Sequence, residues 1–240
     1  MSRLTLLPID GWMNPVIIDD QNNMVLIDCP LAENYDDLLK IAKEKGVDLS
    51  LLTHVILTHQ DGDHVASIHL LRKDFPGIKV VASTIEKEYL EKSKKLIRQE
   101  QCEAELPSAT GERKKELEDS IKMYESQEPI QVDIAVEDGE VLDICGGLEI
   151  VSSPGHMPGH ISVYSRALKA LVTGDSMIMS DGELQTANPV YTLDMDESVN
   201  TIEKYTKYDI KQVVCYHGGV YTGDCKAAME KVISDYRSKI

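Results

Sequence analysis

Residues 58–64 have the sequence Thr-His-Gln-Asp-Gly-Asp-His and directly follow the apolar run His-Val-Ile-Leu at residues 54–57. The length and β-branched content of that run predict a buried strand, so the motif lies in a loop at a strand end. Two aspartates this close would repel each other and raise each other's pKa unless a cation lay between them. Imidazole and carboxylate together are typical ligands of zinc, iron and manganese. The stretch therefore predicts a metal site.

Three more motifs with histidine or aspartate also follow apolar runs. They are Pro-Gly-His-Met-Pro-Gly-His at 154–160, Thr-Gly-Asp at 173–175 and Tyr-His-Gly-Gly at 216–219. Strand ends along one edge of a layered α/β fold converge in space, where loops present side chains on a rigid support. Glycine beside a ligand-type residue lets the backbone pass close to a small charged object. The four motifs together predict one shared metal centre.

In this order the motifs resemble the signature of the metallo-β-lactamase superfamily of binuclear hydrolases. That signature is HxHxDH, then a histidine in a PGHTPGH-like loop, then Gly-Asp, then a late histidine before glycine. Asp28, in Leu-Ile-Asp-Cys-Pro at 26–30, also resembles the strand-terminal aspartate of the family. The resemblance covers essentially the whole chain. It implies an α/β fold, a four-layer αββα sandwich with the metals at one edge of two facing sheets.

The resemblance also implies two divalent ions, expected to be zinc, with iron or manganese as alternatives. By resemblance the ligands are His59, Asp61 and His156 for the first ion, Asp63, His64 and His217 for the second, and Asp175 as the bridge between them. His160 is expected to support the ligands or to pack rather than to bind a metal. A metal-bound hydroxide is the expected nucleophile, oriented by Asp63 or Asp175, which makes these two residues catalytic candidates.

One position departs from the signature, because Asp61 stands where the family has its second histidine. If Asp61 binds, three carboxylates face two divalent ions and leave one net positive charge, one less than usual. Harder oxygen ligands shift the preference toward iron or manganese, and a less positive site acidifies water less. The alternatives are that Asp61 leaves the first ion weakly bound, or that it only hydrogen-bonds to the ligands.

The composition limits the binding partners and the cellular compartment that we expect for this protein. The 240 residues include 41 acidic and 25 basic side chains, a net charge of −16 that disfavours nucleic acid as a partner. No run approaches the roughly 18 apolar residues of a membrane span, and the first residues lack a signal-peptide pattern. Five cysteines without a CxxC pair fit reduced thiols. We expect a cytoplasmic protein with a small-molecule substrate and no membrane partner.

Residues 1–240 are predicted to form one domain with a helical insertion at 84–128. Between 86 and 128, 21 of 43 residues are charged, and two helical stripes are separated by a break at 106–111. This pattern predicts a helical hairpin, either a solvated helix pair or a lid or homodimer contact near the site. Strand and helix patterns alternate before the insertion. Near the other end, Asp194 and Glu197 predict the cap of a helix at about 195–206.

The resemblance favours a metal-dependent hydrolase that attacks an ester, lactone, thioester or phosphoester. Tyr191 is a further catalytic candidate, because the family can place a tyrosine in this loop to polarise a substrate carbonyl. Trp12, the one tryptophan of the chain, either forms a pocket wall or packs in the fold. Two alternatives stay open. One is a diiron enzyme that reduces oxygen or nitric oxide with a separate electron donor; the other is a non-catalytic binding protein that metals stabilise.

Overall fold

A computed structural model describes residues 2–239 of the chain. The first half contains β1 (Arg3–Leu6), β2 (Val16–Asp19), β3 (Met24–Ile27), α1 (Tyr35–Glu44), β4 (His54–Ile56), α2 (Gly62–Val65), α3 (Ile68–Asp74), β5 (Lys79–Ser83), α4 (Thr84–Leu90), α5 (Ile97–Glu105), α6 (Gly111–Ser126) and β6 (Ile134–Val136). The second half contains β7 (Val141–Leu142), β8 (Leu148–Ser152), β9 (Ile161–Ser165), β10 (Ala170–Val172), β11 (Met177–Ser180), β12 (Glu183–Thr186), α7 (Met195–Tyr205), β13 (Gln212–Cys215), β14 (Gly219–Tyr221) and α8 (Cys225–Arg237).

Each half of the chain forms its own six-stranded sheet. In the first sheet the order follows the chain, β1-β2-β3-β4-β5-β6, and the pairs from β3 to β6 are parallel. In the second sheet the order is β14-β13-β10-β9-β8-β7, with a parallel pair between β10 and β13. The strands β11 and β12 form a separate hairpin. Neither this hairpin nor β14 is predicted by the sequence patterns.

The two sheets pack face to face through alternate side chains of their strands. Val25, Ile56 and Val81 of the first sheet share a core with Ile150 and Val163 of the second, and all five are fully buried. Burial of each such side chain contributes about 1.5–3 kcal/mol. Because side chains alternate along a strand, the neighbours of these residues point to the opposite faces, where helices cover them.

Helices cover both outer faces. Leu26 packs in a second core with Leu38 of α1 and Leu71 of α3. On the other side, a third core joins strands β10 and β13 to the apolar faces of α7 and α8. The predicted four-layer αββα sandwich of the α/β class is therefore confirmed. The predicted cap is also present, since the Asp194 carboxylate accepts a hydrogen bond from the Glu197 N–H at 2.9 Å.

The segment predicted as a hairpin contains three helices rather than two. Helix α4 comes first along the chain. The next two helices, α5 and α6, pack against each other and form the hairpin. The extra helix is capped by Ser83, the residue before it, whose hydroxyl accepts a hydrogen bond from the Glu86 N–H at 3.0 Å. Glu86 is fully buried, so α4 faces the protein, whereas most side chains of α6 are exposed. Among residues 2–239, no helix combines the length and the apolarity that crossing a bilayer requires.

Candidate metal centre

The loops that follow five strands meet at one edge of the two sheets. The first sheet contributes Asp28 after β3 and the loop 58–64 after β4, and the second contributes the loops after β8, β10 and β13. All seven residues predicted as ligands lie in these loops or, for Asp63 and His64, in the short helix α2, and the structure brings them together. The ligand atoms of six of them, all but Asp61, form two groups, within each of which the atoms lie no more than 4.8 Å apart. The groups are His59, His156 and Asp175, and Asp63, His64 and His217.

Asp28 sets the direction in which His64 presents its free nitrogen. Its carboxylate is buried and accepts hydrogen bonds from the Thr58 N–H, the Thr58 hydroxyl and His64 Nδ1, each at 2.8 Å. A carboxylate accepts only, so Nδ1 of His64 carries the hydrogen and Nε2 turns toward the centre. The Thr58 hydroxyl, having donated to Asp28, accepts from Nδ1 of His59 at 3.0 Å. His59 therefore also presents Nε2.

His217 is oriented in the same way from the second sheet. Its Nδ1 donates to the Trp12 carbonyl at 3.0 Å, which leaves Nε2 3.3 Å from both Asp63 Oδ2 and Asp175 Oδ1. The Trp12 ring stacks on the imidazole, with centroids 5.3 Å apart and planes 9° apart. Three histidines thus have a proton fixed on Nδ1 by an oxygen acceptor, the arrangement that histidine ligands of metals usually have.

Asp175 lies between the two groups. Its Oδ1 is 3.2 Å from His64 Nε2, and its Oδ2 is 3.7 Å from His156 Nε2. Gly174 permits this position, because it has φ of +52° and a Cβ there would lie 2.7 Å from His160 Nε2. Both ring nitrogens of His160 already have hydrogen-bond partners. Its Nε2 accepts a hydrogen bond from the Asp175 N–H at 3.1 Å, and its Nδ1 lies 2.7 Å from the Ser153 hydroxyl. His160 therefore positions Asp175.

The donor set fits divalent ions. His59 Nε2, His64 Nε2 and Asp175 Oδ1 are buried atoms without a hydrogen-bond partner in the described chain, residues 2–239. Buried polar atoms are almost always paired, so such a cluster of acceptors indicates a site that binds cations. Nitrogen and carboxylate oxygen ligands suit zinc, iron and manganese alike.

The matches to known proteins agree with this geometry. The sequence profile described as "Metallo-beta-lactamase superfamily" matches residues 14–217. The chain belongs to the metallo-beta-lactamase superfamily. A similar solved structure, that of a metallo-beta-lactamase family protein from Thermus thermophilus, has a TM-score of 0.76 at 18% identity, with 98% of this chain and 80% of that chain covered.

Two relatives come from Bacillus subtilis strain 168. The uncharacterized protein YobT is 28% identical over 180 residues, which are 75% of this chain and 68% of YobT. The probable metallo-hydrolase YflN is 24% identical over 219 residues, which are 85% of this chain and 78% of YflN. Membership of the superfamily supports metal-dependent hydrolysis at the level of the family.

Asp61 is bound by an arginine of the inserted hairpin. Arg98 Nε donates to Asp61 Oδ1 at 3.0 Å, and a terminal nitrogen donates to Oδ2 at 2.7 Å. The same carboxylate lies 3.2 Å from His156 Nε2 and 3.6 Å from His59 Nε2. Asp61 thus lies at the rim of the first group and forms an ion pair with the guanidinium of Arg98. Its role as a metal ligand stays a prediction.

Charges within the centre stabilise one another. Burial disfavours the ionised form of Asp175, yet the neighbouring imidazoles of His64 and His217 hold its pKa well below the ordinary value. For Asp61, hydrogen bonds with His156, His59 and Arg98 likewise outweigh burial and lower the pKa. Burial works against charge on His217, but its contacts with Asp175 and Asp63 raise its pKa to about 9, so a metal ion that binds at Nε2 must displace a proton there. The carboxylates are therefore ionised and able to hold cations.

The two substrate-side candidates lie at the mouth of the centre. The Tyr191 side chain is 56% exposed, and its ring centroid lies 5.9 Å from Cζ of Arg98. The Tyr191 carbonyl accepts a hydrogen bond from Arg98 at 2.7 Å. Trp12 is 40% exposed while it stacks on His217. Trp12 thus contacts a candidate ligand, and the catalytic role of Tyr191 stays a prediction.

Sequence patterns missed three supporting residues. Arg98 has no local signal, because it is one of many charges in a charged segment. Glu86 accepts hydrogen bonds from the Gln60 side chain at 3.1 Å and from the Gly159 N–H at 3.1 Å. It therefore joins α4 to the loops that follow β4 and β8. Burial raises the pKa of Glu86 to about 8. Tyr216 donates from its hydroxyl to the Asp63 carbonyl at 2.6 Å and packs on His64. Only Tyr216 lies within a quoted motif.

Proposed function

We propose that this protein is a metal-dependent hydrolase of small molecules, acting on an ester, lactone, thioester or phosphoester. The observation that carries the proposal is the set of buried ligand atoms from both sheets, oriented toward shared space and lacking hydrogen-bond partners in the described chain. When bound there, divalent ions supply water of lowered pKa and polarise the oxygen of the scissile group. Zinc is the expected metal, with iron and manganese as the alternatives.

Residues of the chain accept protons, orient the attacking water and hold the imidazoles in place. Asp63 and Asp175 are ionised carboxylates at the centre, where each can accept a proton or orient the attacking water. Asp28, Thr58 and the Trp12 carbonyl hold three imidazoles in the tautomer that presents Nε2. Because these contacts exist before substrate arrives, the centre is preorganised.

The surroundings favour a substrate with an apolar part. Trp12 borders the centre on one side, and the loop after β12 exposes Val190, Tyr191 and Leu193 on another, at 80%, 56% and 42%. Leu193 N–H donates to the His156 carbonyl, which fixes this loop to a candidate ligand. A net charge of −16 disfavours nucleic acids and other polyanions. We therefore infer a small substrate with an apolar group beside the scissile bond.

The test measures metal content and turnover on the same preparations. Wild type, Asp63→Ala and His156→Ala are assayed on panels of esters, lactones, thioesters and phosphoesters, and their metals are quantified by mass spectrometry. Loss of a ligand lowers bound metal and turnover together, turnover by more than about 100-fold. Asp235→Ala, at an exposed position of α8, is the matched control and leaves both unchanged. Unchanged metal content in both ligand variants would refute the assignment.

The same preparations separate the two alternative functions. Stoichiometric iron together with oxygen or nitric oxide consumption would support a diiron redox enzyme. Full metal occupancy without turnover on any panel would support a binding protein that metals stabilise. Zinc or manganese with turnover on one substrate class supports hydrolysis.

A further inference from the structure

The two ligand groups of the centre differ in the charges around them. Within residues 2–239, the second group, Asp63, His64 and His217, forms ion pairs only between its histidines and aspartates, Asp175 and Asp28 included, and none with a lysine or arginine. At the rim of the first group stands Arg98, whose terminal nitrogen is 3.5 Å from His156 Nε2 and 2.7 Å from Asp61 Oδ2. A fixed cation is therefore built into one group only.

Arg98 is held firmly in this position. Three of its contacts are to Asp61, and further hydrogen bonds go to the Gln101 side chain at 3.1 Å and the Tyr191 carbonyl at 2.7 Å. Its side chain is 15% exposed and that of Asp61 13% exposed, so water screens the pair little. Bidentate pairing of a guanidinium with a carboxylate fixes geometry as well as charge.

The pair has two consequences for a divalent ion in the first group. Arg98 neutralises Asp61, so the extra carboxylate adds no net negative charge. Since the guanidinium lies within hydrogen-bond distance of Asp61 and close to His156, an ion bound by those ligands is repelled by a neighbouring positive charge. The second group has Asp63 as its own carboxylate and also contacts Asp175, which both groups share, and no arginine of the described chain pairs with Asp63.

We propose that the positive charge of Arg98 lowers the affinity of the first group for a divalent ion. The two groups therefore bind divalent ions in sequence, and the Asp63–His64–His217 group binds first. This inference rests on the metal-dependent function proposed above. Because Arg98 belongs to α5 and also contacts the loop of Tyr191, the inserted hairpin sets the affinity of the weaker group. The opposite role for Arg98 is orientation of Asp61 as a ligand, which would strengthen binding.

The experiment titrates the chelator-stripped full chain with Co²⁺, followed by calorimetry and by visible absorption, without any substrate. Wild type is expected to bind one Co²⁺ per chain at least about tenfold more tightly than the second. Arg98→Met removes the cation and tightens the second binding event by about tenfold or more. Arg98→Lys keeps the charge and keeps the two events apart. Arg113→Met, whose partners are Glu105 and Glu116 on the same hairpin, is the matched control and changes neither event.

Each other outcome has a definite meaning. Two equal affinities in wild type would overturn the inference even if the methionine variant failed to fold. Weaker second binding in Arg98→Met would also overturn it, since Arg98 would then be orienting a metal ligand. Crystals with one Co²⁺ per chain must show its anomalous signal beside His217 rather than beside His156. If wild type bound no Co²⁺ at all, the metal-dependent function itself would fail, which separates that failure from the failure of the inference.

Discussion

Replacement of Asp28 by asparagine should disable the candidate ligand His64 through the hydrogen bond that joins the two residues. The buried carboxylate accepts three hydrogen bonds, two from Thr58 and one from His64 Nδ1. Asparagine suits the backbone, because Asp28 has φ of +58° and asparagine tolerates that region. It retains one acceptor and gains a donor, so at least one of the three hydrogens loses its partner.

The magnitude follows from which hydrogen loses its acceptor. If the amide nitrogen faces His64, Nδ1 must become an acceptor and the proton moves to Nε2, where it blocks the lone pair that points at Asp175. Loss of such a supporting contact typically reduces metal affinity 10–100-fold, which is about 1.4–2.7 kcal/mol. If the amide flips, a buried N–H of Thr58 stays unpaired, and the fold loses about 1–3 kcal/mol.

Calorimetric titration with Zn²⁺ and ¹⁵N NMR of the histidine rings would measure both effects in Asp28→Asn. The expected result is an affinity reduced by at least about tenfold and an altered His64 tautomer, or a lower free energy of unfolding. Asp235→Asn provides the surface control. A variant that kept its zinc affinity within threefold, its tautomer and its stability would show that Asp28 does not orient the centre.

Three more predictions address other parts of the molecule. Burial raises the pKa of Glu86 from 4.5 to about 8, so the folded state holds this proton more tightly and stability falls as the pH rises between these values, by about 5 kcal/mol. Glu86→Gln should flatten that slope in denaturant titrations at several pH values, and an unchanged slope would exclude Glu86 as its source. Asp61→His combined with Arg98→Met restores an imidazole without a neighbouring guanidinium, so competitive loading should favour zinc over manganese by about tenfold more than in wild type; an unchanged ratio would show that Asp61 does not influence the metal. Ile150→Ala removes a side chain buried between the sheets and should cost about 2–5 kcal/mol in urea unfolding, whereas a loss below 1 kcal/mol would contradict the described packing.

Local patterns were sufficient for the parts of the fold that depend on local chemistry. The run at 54–57 and the cap at Asp194 each predicted an element at the correct place, because apolar periodicity and capping act over a few residues. The hairpin of β11 and β12 was missed, since Met177–Ser180 has only four residues and does not alternate between apolar and polar positions. The strand β14 is three residues long and begins with glycine, which weakens any strand pattern.

Convergence of the site was predictable for a different reason. His59 and His217 lie far apart in the chain, but both follow strands, and strand ends at one edge of facing sheets must be neighbours. What the sequence could not predict is which of the insertion's charges turns inward. Arg98 and Arg113 occupy similar surroundings in the sequence, yet one binds Asp61 and the other binds Glu105 at the surface. That choice depends on how α5 packs, which no local pattern records.

The division of the candidate ligands between the two sheets should make the lifetime of the protein in the cell depend on bound metal. His59 and His64 come from the amino-terminal sheet, whereas His156 and His217 come from the carboxy-terminal one. An ion that binds both therefore opposes separation of the halves, by about 4 kcal/mol when free metal exceeds the dissociation constant a thousandfold. Proteases cleave mainly opened chains. Starvation for metal should thus shorten the half-life of this chain, and the cell would degrade the copies that had failed to acquire an ion.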